Sequence, residues 1–198
     1  MRIGIFGGTF DPPHIGHLIL ASEAFYQLEL DNILWVITPD PPHKQKQAIT
    51  PTKHRLDMTA AAISNDPNFM LSRIELDRLG PHYVADTMHM LREHYPHGEL
   101  IYLIGGDSLQ NLPTWNRPRQ FLTYCDALGV MRRPGAEFNL DELEIVIPGL
   151  KEKVRIIDTP LIEIASFQIR ERIAQRQPFR YFLPEAVYQI IQERKLYR

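Results

Sequence analysis

Two histidines three positions apart are the residues of this sequence best suited to binding a phosphate. His14 and His17 lie where a helix is predicted to begin, so both rings can project from one face of that helix. Imidazole N–H groups beside the free backbone amides of a helix N-terminus suit an anion. The preceding Gly7-Gly8-Thr9-Phe10 follows an apolar strand, where a glycine pair lets the backbone approach a phosphate or a base. The segment therefore predicts a phosphate clamp.

Other interpretations of this segment stay open at this point. The two histidines could be solvated surface residues or a metal pair, although no carboxylate, cysteine or third histidine stands at an obvious ligand position. The loop is not a Walker A motif, because no Gly-Lys-Ser/Thr follows it, and it lacks the GxGxxG spacing of dinucleotide-binding folds. A glycine pair by itself fits a tight turn equally well. We expect no metal ion held by protein ligands.

Further polar candidates follow other predicted strands. Lys44 ends a double-proline loop and could hold its ammonium group over a cleft, or it could be an ordinary surface lysine. Asp107, which comes after Gly105-Gly106, could accept hydrogen bonds from ribose hydroxyls or cap a helix. Arg132-Arg133 follows another apolar run, and one guanidinium group there could lie near a base.

Three residues in the second half of the chain complete the candidate set. Trp115 lies in a Pro-Thr-Trp-Asn loop, where an indole can stack on a planar ring or serve only local packing. Ser166 and Arg170 are four apart at the start of a predicted helix and so share a face. A hydroxyl and a planar cation at a helix N-terminus suit a polyphosphate. A capping serine with a solvated arginine is the alternative.

The elements that must position these residues alternate along the chain. Apolar runs predict strands at 3–6, 33–37, 100–104, 127–131 and 154–157. Helical spacing predicts helices at 18–28, 53–63, 83–95, 166–176 and 184–194. This alternation predicts an α/β fold with a Rossmann-like, doubly wound parallel sheet. We expect one domain over residues 1–198, with a C-terminal helical part at about 160–198. The loops after the strands should converge on one cleft.

Composition excludes several classes of protein. The 198 residues carry 22 Lys and Arg against 24 Asp and Glu, a net charge of −2 that argues against a general nucleic-acid or membrane-surface binder. A hydrophobic share of 44% is that of a globular chain. The single cysteine, Cys125, cannot form an internal disulfide, which suits a reducing cytoplasm. The chain has no apolar run of membrane-spanning length, and its first residues are too short a run for a signal-peptide core.

The motifs together resemble a known family. GGTFDPPHIGH resembles the signature of the HxGH nucleotidyltransferases and, more narrowly, of bacterial nicotinate-nucleotide adenylyltransferases. The resemblance extends over nearly the whole chain, through Pro41-Pro42-His43-Lys44, Ile104 to Ser108, Trp115, Arg132 to Gly135, Ser166 with Ile169-Arg170, and a tail from Tyr181-Phe182-Leu183-Pro184 to Lys195-Leu196-Tyr197. It implies transfer of AMP from ATP to nicotinate mononucleotide, which yields nicotinate adenine dinucleotide and pyrophosphate.

The resemblance also implies roles for individual residues. The catalytic phosphate contacts would be His14, His17, Lys44, Ser166 and Arg170. The ATP site would comprise Gly7, Gly8, Thr9, Phe10, Gly105, Asp107 and Arg133. The mononucleotide site would comprise Tyr83, Val84, Thr87 and Trp115. Mg²⁺ would be carried on the ATP phosphates rather than in a protein cage. The partners are these two nucleotides, with neither nucleic acid nor membrane, and the sequence leaves open whether the chain forms a homo-oligomer.

The chain departs from the family at two places. Ala165-Ser166-Phe167 stands where the family has Ser-Ser-Thr, so one hydroxyl contact to phosphate is lost or supplied elsewhere. Val84 stands where relatives have a threonine that helps to hold the nicotinate carboxylate, which leaves the preference between acid and amide mononucleotide open. Alternative functions are a cytidylyltransferase or a pantetheine-phosphate adenylyltransferase, a nucleotide-binding regulatory module without turnover, and a metal-dependent phosphoesterase.

Overall fold

The computed structural model describes residues 1–41, 48–131, 138–160 and 162–198. The strands in this part of the chain are β1 (Arg2–Gly8), β2 (Asn32–Ile37), β3 (Phe69–Ser72), β4 (Glu99–Gly105), β5 (Ala127–Met131) and β6 (Val154–Ile157). The long helices are α1 (Ile15–Gln27), α2 (Thr52–Ile63), α3 (Val84–His94), α8 (Ser166–Ala174) and α9 (Glu185–Glu193). Shorter helices are α4 (Gly106–Gln110), α5 (Pro118–Tyr124), α6 (Leu140–Val146) and α7 (Leu150–Lys153).

The six strands form one parallel sheet in the order β3-β2-β1-β4-β5-β6. Ile5 of β1 pairs with Leu34 of β2 on one side and with Tyr102 of β4 on the other. The strand order reverses between β1 and β4, and ligands of such sheets bind beyond the carboxyl ends of the strands at that point. The prediction of a doubly wound parallel sheet is confirmed.

Alternate residues of each strand face opposite sides of the sheet, and helices cover both. Ile3 and Ile5 pack with α3 and α5, whereas Phe6 packs with α1 on the other side. The five predicted strands are all present. β3 was not predicted, because it is a short edge strand that is only half-buried and lacks a β-branched run. The helices α4 to α7 were not predicted either, since four to seven residues are too few to show a helical period.

The C-terminal helices pack against α2. Ile169 and Ile173 of α8 and Val187 and Ile191 of α9 form an apolar cluster with Met58 of α2, which is fully buried. This packing brings the start of α8 towards the loop between β1 and α1. The division of the chain, one domain with a helical part from about residue 160, stays a prediction. Among the residues that the structure describes, none of the helices has the length and apolar character needed to cross a membrane.

The cluster around Met58 makes a prediction about stability. Met58→Ala should lower the free energy of unfolding by about 2–5 kcal/mol, because a fully buried side chain leaves a cavity that the neighbours fill only partly. The matched control is Met70→Ala at a position 48% exposed, which should cost less than about 0.5 kcal/mol. Urea unfolding of both variants measures the difference. Equal losses would show that Met58 does not join the C-terminal helices to α2.

Candidate active site at the carboxyl edge of the sheet

His14 and His17 of the first motif contact each other at the start of α1. His14 is the N-cap residue, and its backbone N–H donates a hydrogen bond to Nδ1 of His17 at 3.1 Å. Their ring centroids are 3.7 Å apart, with the planes inclined by 30°. Because a backbone N–H can only donate, Nδ1 of His17 must accept, which leaves Nε2 as the nitrogen that carries the ring hydrogen. His17 therefore has a fixed ring with one defined donor.

Gly8 and Gly16 are required by packing within the loop, in addition to the predicted approach of a phosphate or a base. A Cβ atom on Gly16 would lie 3.0 Å from Nδ1 of His14, and one on Gly8 would lie 2.8 Å from the Phe10 ring. The absence of side chains thus lets the loop pack on itself. The Phe10 ring is only 3% exposed and lies against Phe6. A contact between residue 10 and ATP must therefore be made by its backbone.

Helix α8 lies against this same loop. The hydroxyl of Ser166 donates to the carbonyl oxygen of Pro12 at 2.8 Å, and Nη1 of Arg170 donates to that of Asp11 at 2.7 Å. The N-cap of α8 is Ala165, so Ser166 is not the capping residue of the alternative interpretation. Four of the five N–H groups of an arginine remain for other acceptors after one such bond. The structure therefore brings the predicted phosphate contacts of α8 to the loop that carries the histidines.

The loop after β4 reaches the same edge of the sheet. Gly105 ends β4 and caps α4, and Asp107 lies exposed in the first turn of that helix. The alternative in which Asp107 caps the helix is therefore wrong. Since β1 and β4 are neighbouring parallel strands, Gly8 and Gly105 mark adjacent strand ends. Thr9, the first residue after β1, is partly exposed there.

The predicted mononucleotide residues form a second group beside α3. Tyr83 is the N-cap of α3 and Val84 is its first residue. Arg117 joins them to the loop of Trp115, because its Nη2 donates to Oδ2 of Asp86 at 2.6 Å and its Cζ lies 5.9 Å from the Tyr83 ring centroid. The half-buried indole of Trp115 thus lies on a loop anchored at the start of α3.

Tyr102 of β4 lies between the second group and the first loop. The ring of Trp115 meets that of Tyr102 edge-on, with centroids 6.3 Å apart. A Cβ atom on Gly7 would lie 2.7 Å from the Tyr102 hydroxyl oxygen. The two groups of candidate residues therefore flank the end of β1.

Thr87 is the exception within the second group. It is 2% exposed, and its hydroxyl donates a 2.6 Å hydrogen bond to Oε1 of Glu75. The hydroxyl hydrogen is directed into the protein, so a direct contact with a mononucleotide is at odds with its position. Thr87 instead stabilises the start of α3 from below.

Glu75 is a buried acid that the sequence did not single out. It is 3% exposed, and burial raises the pKa of its carboxyl group, while hydrogen bonds from Thr87 and Thr38 and the charge of Arg78 oppose that rise. In the sequence it stands in Arg73-Ile74-Glu75-Leu76-Asp77, where its neighbours of both charges resemble a solvated surface. Only its contacts with distant residues distinguish it.

Arg55 is a second functional candidate that the sequence did not reveal. It is 1% exposed and lies in α2, and burial lowers the pKa of its guanidinium group, which the nearby Asp11 and Asp40 charges oppose. Its N–H groups donate to the carbonyl oxygens of Thr9, Thr38, Pro39 and Thr50 and to the hydroxyl of Thr52, at 2.7–3.0 Å. One cation thus holds the loops after β1 and β2 together.

Some of the predicted residues cannot be placed. Lys44 and the pair Arg132-Arg133 lie outside the described residues.

Within residues 1–41, 48–131, 138–160 and 162–198, there is no group of three or more His, Cys, Asp or Glu that could hold a metal ion.

Comparison with known proteins agrees with this arrangement. Residues 5–172 match the family described as Cytidylyltransferase-like, a class of nucleotidyltransferases. The chain is 41% identical over 197 residues to a probable nicotinate-nucleotide adenylyltransferase of Thermomicrobium roseum, covering 100% of this chain and 92% of that protein. It is 39% identical over 196 residues to nicotinate-nucleotide adenylyltransferase of Bacillus subtilis, covering 99% and 98%. The chain belongs to the nicotinate-nucleotide adenylyltransferase family.

Solved structures share the fold. The nicotinic acid mononucleotide adenylyltransferase of Plasmodium falciparum in complex with NaAD superposes with a TM-score of 0.81 at 19% identity, covering 99% of this chain and 97% of that one. The same enzyme in complex with APC gives a TM-score of 0.79, covering 99% and 96%. At this identity the likeness concerns the architecture.

The raised pKa of Glu75 predicts a pH dependence of stability. A group whose pKa is higher in the folded state favours folding when protonated, so its contribution declines as the pH rises above its ordinary value of 4.5. Glu75→Gln cannot ionise. The free energy of unfolding of this variant, relative to wild type, should therefore increase between about pH 4 and about pH 8.

Urea unfolding across this pH range tests the expectation. The matched control is Glu193→Gln at an exposed position of α9. Parallel pH slopes for the two variants would contradict the raised pKa of Glu75.

Proposed function

We propose that this chain transfers AMP from ATP to nicotinate mononucleotide, forming nicotinate adenine dinucleotide and releasing pyrophosphate in NAD biosynthesis. The observation that carries the proposal is the contact between α8 and the first loop. Ser166 and Arg170 are hydrogen-bonded to the carbonyls of residues 11 and 12, directly before the histidine pair. Cationic and N–H donor groups from two distant parts of the chain thus meet at one strand end, where two polyanions must be brought together.

The reaction suits a site without an evident general base. The nucleophile is the 5′-phosphate of the mononucleotide, which is largely dianionic at neutral pH. An oxygen of that phosphate forms a bond to the α-phosphorus of ATP, and the bond from this phosphorus to the oxygen bridging to the β-phosphate breaks. The electron pair leaves with pyrophosphate. The protein then has to align the two nucleotides and stabilise the charge that develops on the phosphates.

Each group of residues takes one part of this task. His17, which is partly exposed, contacts the α- and β-phosphate region through Nε2. His14, which is only 3% exposed, supports His17 through its backbone N–H and its ring. Arg170 directs its other N–H groups to the phosphates. Ser166, whose hydroxyl hydrogen already bonds Pro12, contributes by holding the loop in place. By family resemblance Lys44 also contacts phosphate. The remaining ATP contacts are the backbone of residues 7–10, Gly105, Asp107 on the ribose and Arg133 near the adenine.

The pyridine ring of the mononucleotide lies in the second group. Trp115 and Tyr83 are aromatic, partly exposed and tied together by Arg117, so they can line a slot for a planar ring. Val84 lies beside Tyr83 at the start of α3. This end of α3 faces an anion favourably, because its first backbone N–H groups lack helical partners.

Mg²⁺ enters with ATP in this proposal. Bound to the ATP phosphates, it would reduce their negative charge. The compartment that we propose is the cytoplasm, supported by the single cysteine, Cys125, which is buried and forms no disulfide.

The test of this proposal is a pyrophosphate-release assay with ATP and either the acid or the amide mononucleotide. We expect a higher kcat/KM for the acid. Val84→Thr adds a hydroxyl that can donate to the carboxylate, so it should raise the acid-to-amide ratio about ten-fold, the scale of one hydrogen bond to a charged group. Val146→Thr, an exposed position at the end of α6, is the matched control. Absence of pyrophosphate release with both mononucleotides would refute the proposed reaction.

The donor role of His17 makes a second prediction. His17→Ala should lower kcat by about 10²–10³-fold, the scale of losing one preorganised donor to the transition state. His97→Ala is the control, because His97 is exposed in the turn before β4, at the opposite edge of the sheet. Circular dichroism separates a folding defect from a catalytic one. A folded His17→Ala protein with wild-type turnover would remove His17 from the site.

A further inference from the structure

A buried carboxylate lies in the first loop and has no part in the proposed chemistry. Asp11 is 4% exposed and stands three residues before His14. Its Oδ1 accepts a hydrogen bond from the hydroxyl of Tyr197 at 2.7 Å, and its Oδ2 accepts one from the backbone N–H of Thr50 at 3.2 Å. Two segments far apart in the sequence therefore meet at this one side chain.

We infer that Asp11 is a positioning residue, held by Tyr197 and Thr50, that fixes the first loop so that His14 holds His17 towards the phosphates of ATP. This inference rests on the proposed function. It assigns a role to Asp11, Tyr197 and Thr50, none of which contacts a nucleotide in the proposed function.

The backbone of the loop shows why such support is needed. Residues 9–13 belong to neither a strand nor a helix, so they lack a ladder of backbone hydrogen bonds. The carbonyls of Thr9, Asp11 and Pro12 accept instead from side chains, namely Arg55, Arg170 and Ser166. Buried backbone groups must find partners. The loop is thus shaped by groups outside it, and Asp11 supplies the corresponding acceptor from within.

The charge on Asp11 is difficult to explain by stability alone. Burying a carboxylate costs free energy unless it is well paired, and its two hydrogen-bond donors are neutral groups. Two guanidinium groups are close to Asp11. The charge of Asp11 opposes the lowering of the Arg55 pKa by burial, and Arg170 donates to the carbonyl oxygen of Asp11. The two carboxylate oxygens hold the first loop in place, because they accept hydrogen bonds from both the segment before α2 and the segment after α9.

The segment after α9 is held in place by this contact and by apolar packing. Lys195 and Tyr197 have φ angles of 52° and 65°, in the left-handed region that is unfavourable for residues with a side chain. Leu196 and Tyr197 pack against the cluster around Met58. Burial raises the pKa of the Tyr197 hydroxyl, and the charge of Asp11 raises it further, so the hydroxyl stays protonated and remains a donor. The Tyr197 hydroxyl can therefore donate to Asp11 throughout the physiological pH range.

Loss of this bond should affect catalysis more than folding. Misplacing a reacting or stabilising group by about 1 Å can cost about 100-fold in rate, and smaller displacements cost less. Tyr197→Phe removes one hydroxyl and keeps the ring, so we expect kcat to fall about ten-fold. The KM for the mononucleotide should stay within about two-fold, because Tyr83 and Trp115 are anchored on α3 and α5 rather than on this loop.

The experiment compares Tyr197→Phe with Tyr188→Phe in the same C-terminal cluster, where the ring of Tyr188 packs on Phe179. Steady-state kinetics give kcat and both KM values, and thermal unfolding shows that the two variants are equally folded. Amide hydrogen exchange of the peptide spanning residues 9–17 should be faster in Tyr197→Phe than in wild type or the control.

A double-mutant cycle with Asp11→Asn completes the test. If both substitutions act through one bond, the double variant should lose no more kcat than the more damaging single variant. Additive losses, or exchange and kcat in Tyr197→Phe equal to those of Tyr188→Phe, would overturn the inference. If wild type released no pyrophosphate, the proposed function would fail, and the exchange comparison would still decide whether Tyr197 and Asp11 hold the loop.

Discussion

The loop between β1 and α1 depends on side chains from elsewhere in the chain for its backbone hydrogen bonds. It contains no regular element, yet it is buried at Asp11, Pro12 and Pro13 and must place two imidazole rings at a defined position. Arg55 from α2 and Arg170 with Ser166 from α8 bind its carbonyls. Because unpaired buried carbonyls are costly, the loop can take this shape only when α2 and α8 are docked. The shape of the candidate site therefore depends on the packing of α2 and α8 against this loop.

Arg55 and Glu75, two other buried ionisable groups, illustrate a balance between cost and geometry. Arg55 donates all five of its N–H groups to neutral oxygens, and Glu75 accepts from Thr87 under the start of α3. Burial lowers the pKa of Arg55 and raises that of Glu75, and both shifts favour the neutral form. Keeping either group charged therefore costs free energy. The gain is that strand ends and helix starts separated in the sequence are held at fixed distances. In the proposed reaction, the same guanidinium also adds positive potential behind the phosphates.

In the proposed function, the candidate residues for the two nucleotides lie on different elements of the fold. The ATP candidates gather around the loop after β1 and the start of α8, whereas Tyr83, Val84 and Trp115 gather around α3. The end of β1 lies between them, and its glycines are needed there. A side chain at Gly7 would collide with Tyr102 and one at Gly8 with Phe10. The glycines thus let Tyr102 and Phe10 pack closely against the end of β1.

The alternation of apolar runs and helical periods was sufficient to predict the fold class and the five strands that contain β-branched residues, because each of these patterns is local. The edge strand β3 has no β-branched residue, and the short helices have too few residues for a helical period to show. The histidine motif predicted the helix start and the shared face of His14 and His17, again because three residues are enough to define that geometry.

What the sequence could not determine is which charged residues are buried. Arg55 stands in the amphipathic helix α2 and Glu75 in a charged segment, and in both places a solvated position is the ordinary expectation. Their roles, like that of Tyr197 on Asp11, come from partners that are 12 to 186 positions away. Such contacts exist only after the helices have packed on the sheet. Local patterns in the sequence thus determined the elements and the first motif, and tertiary packing decided which side chains hold that motif in its working position.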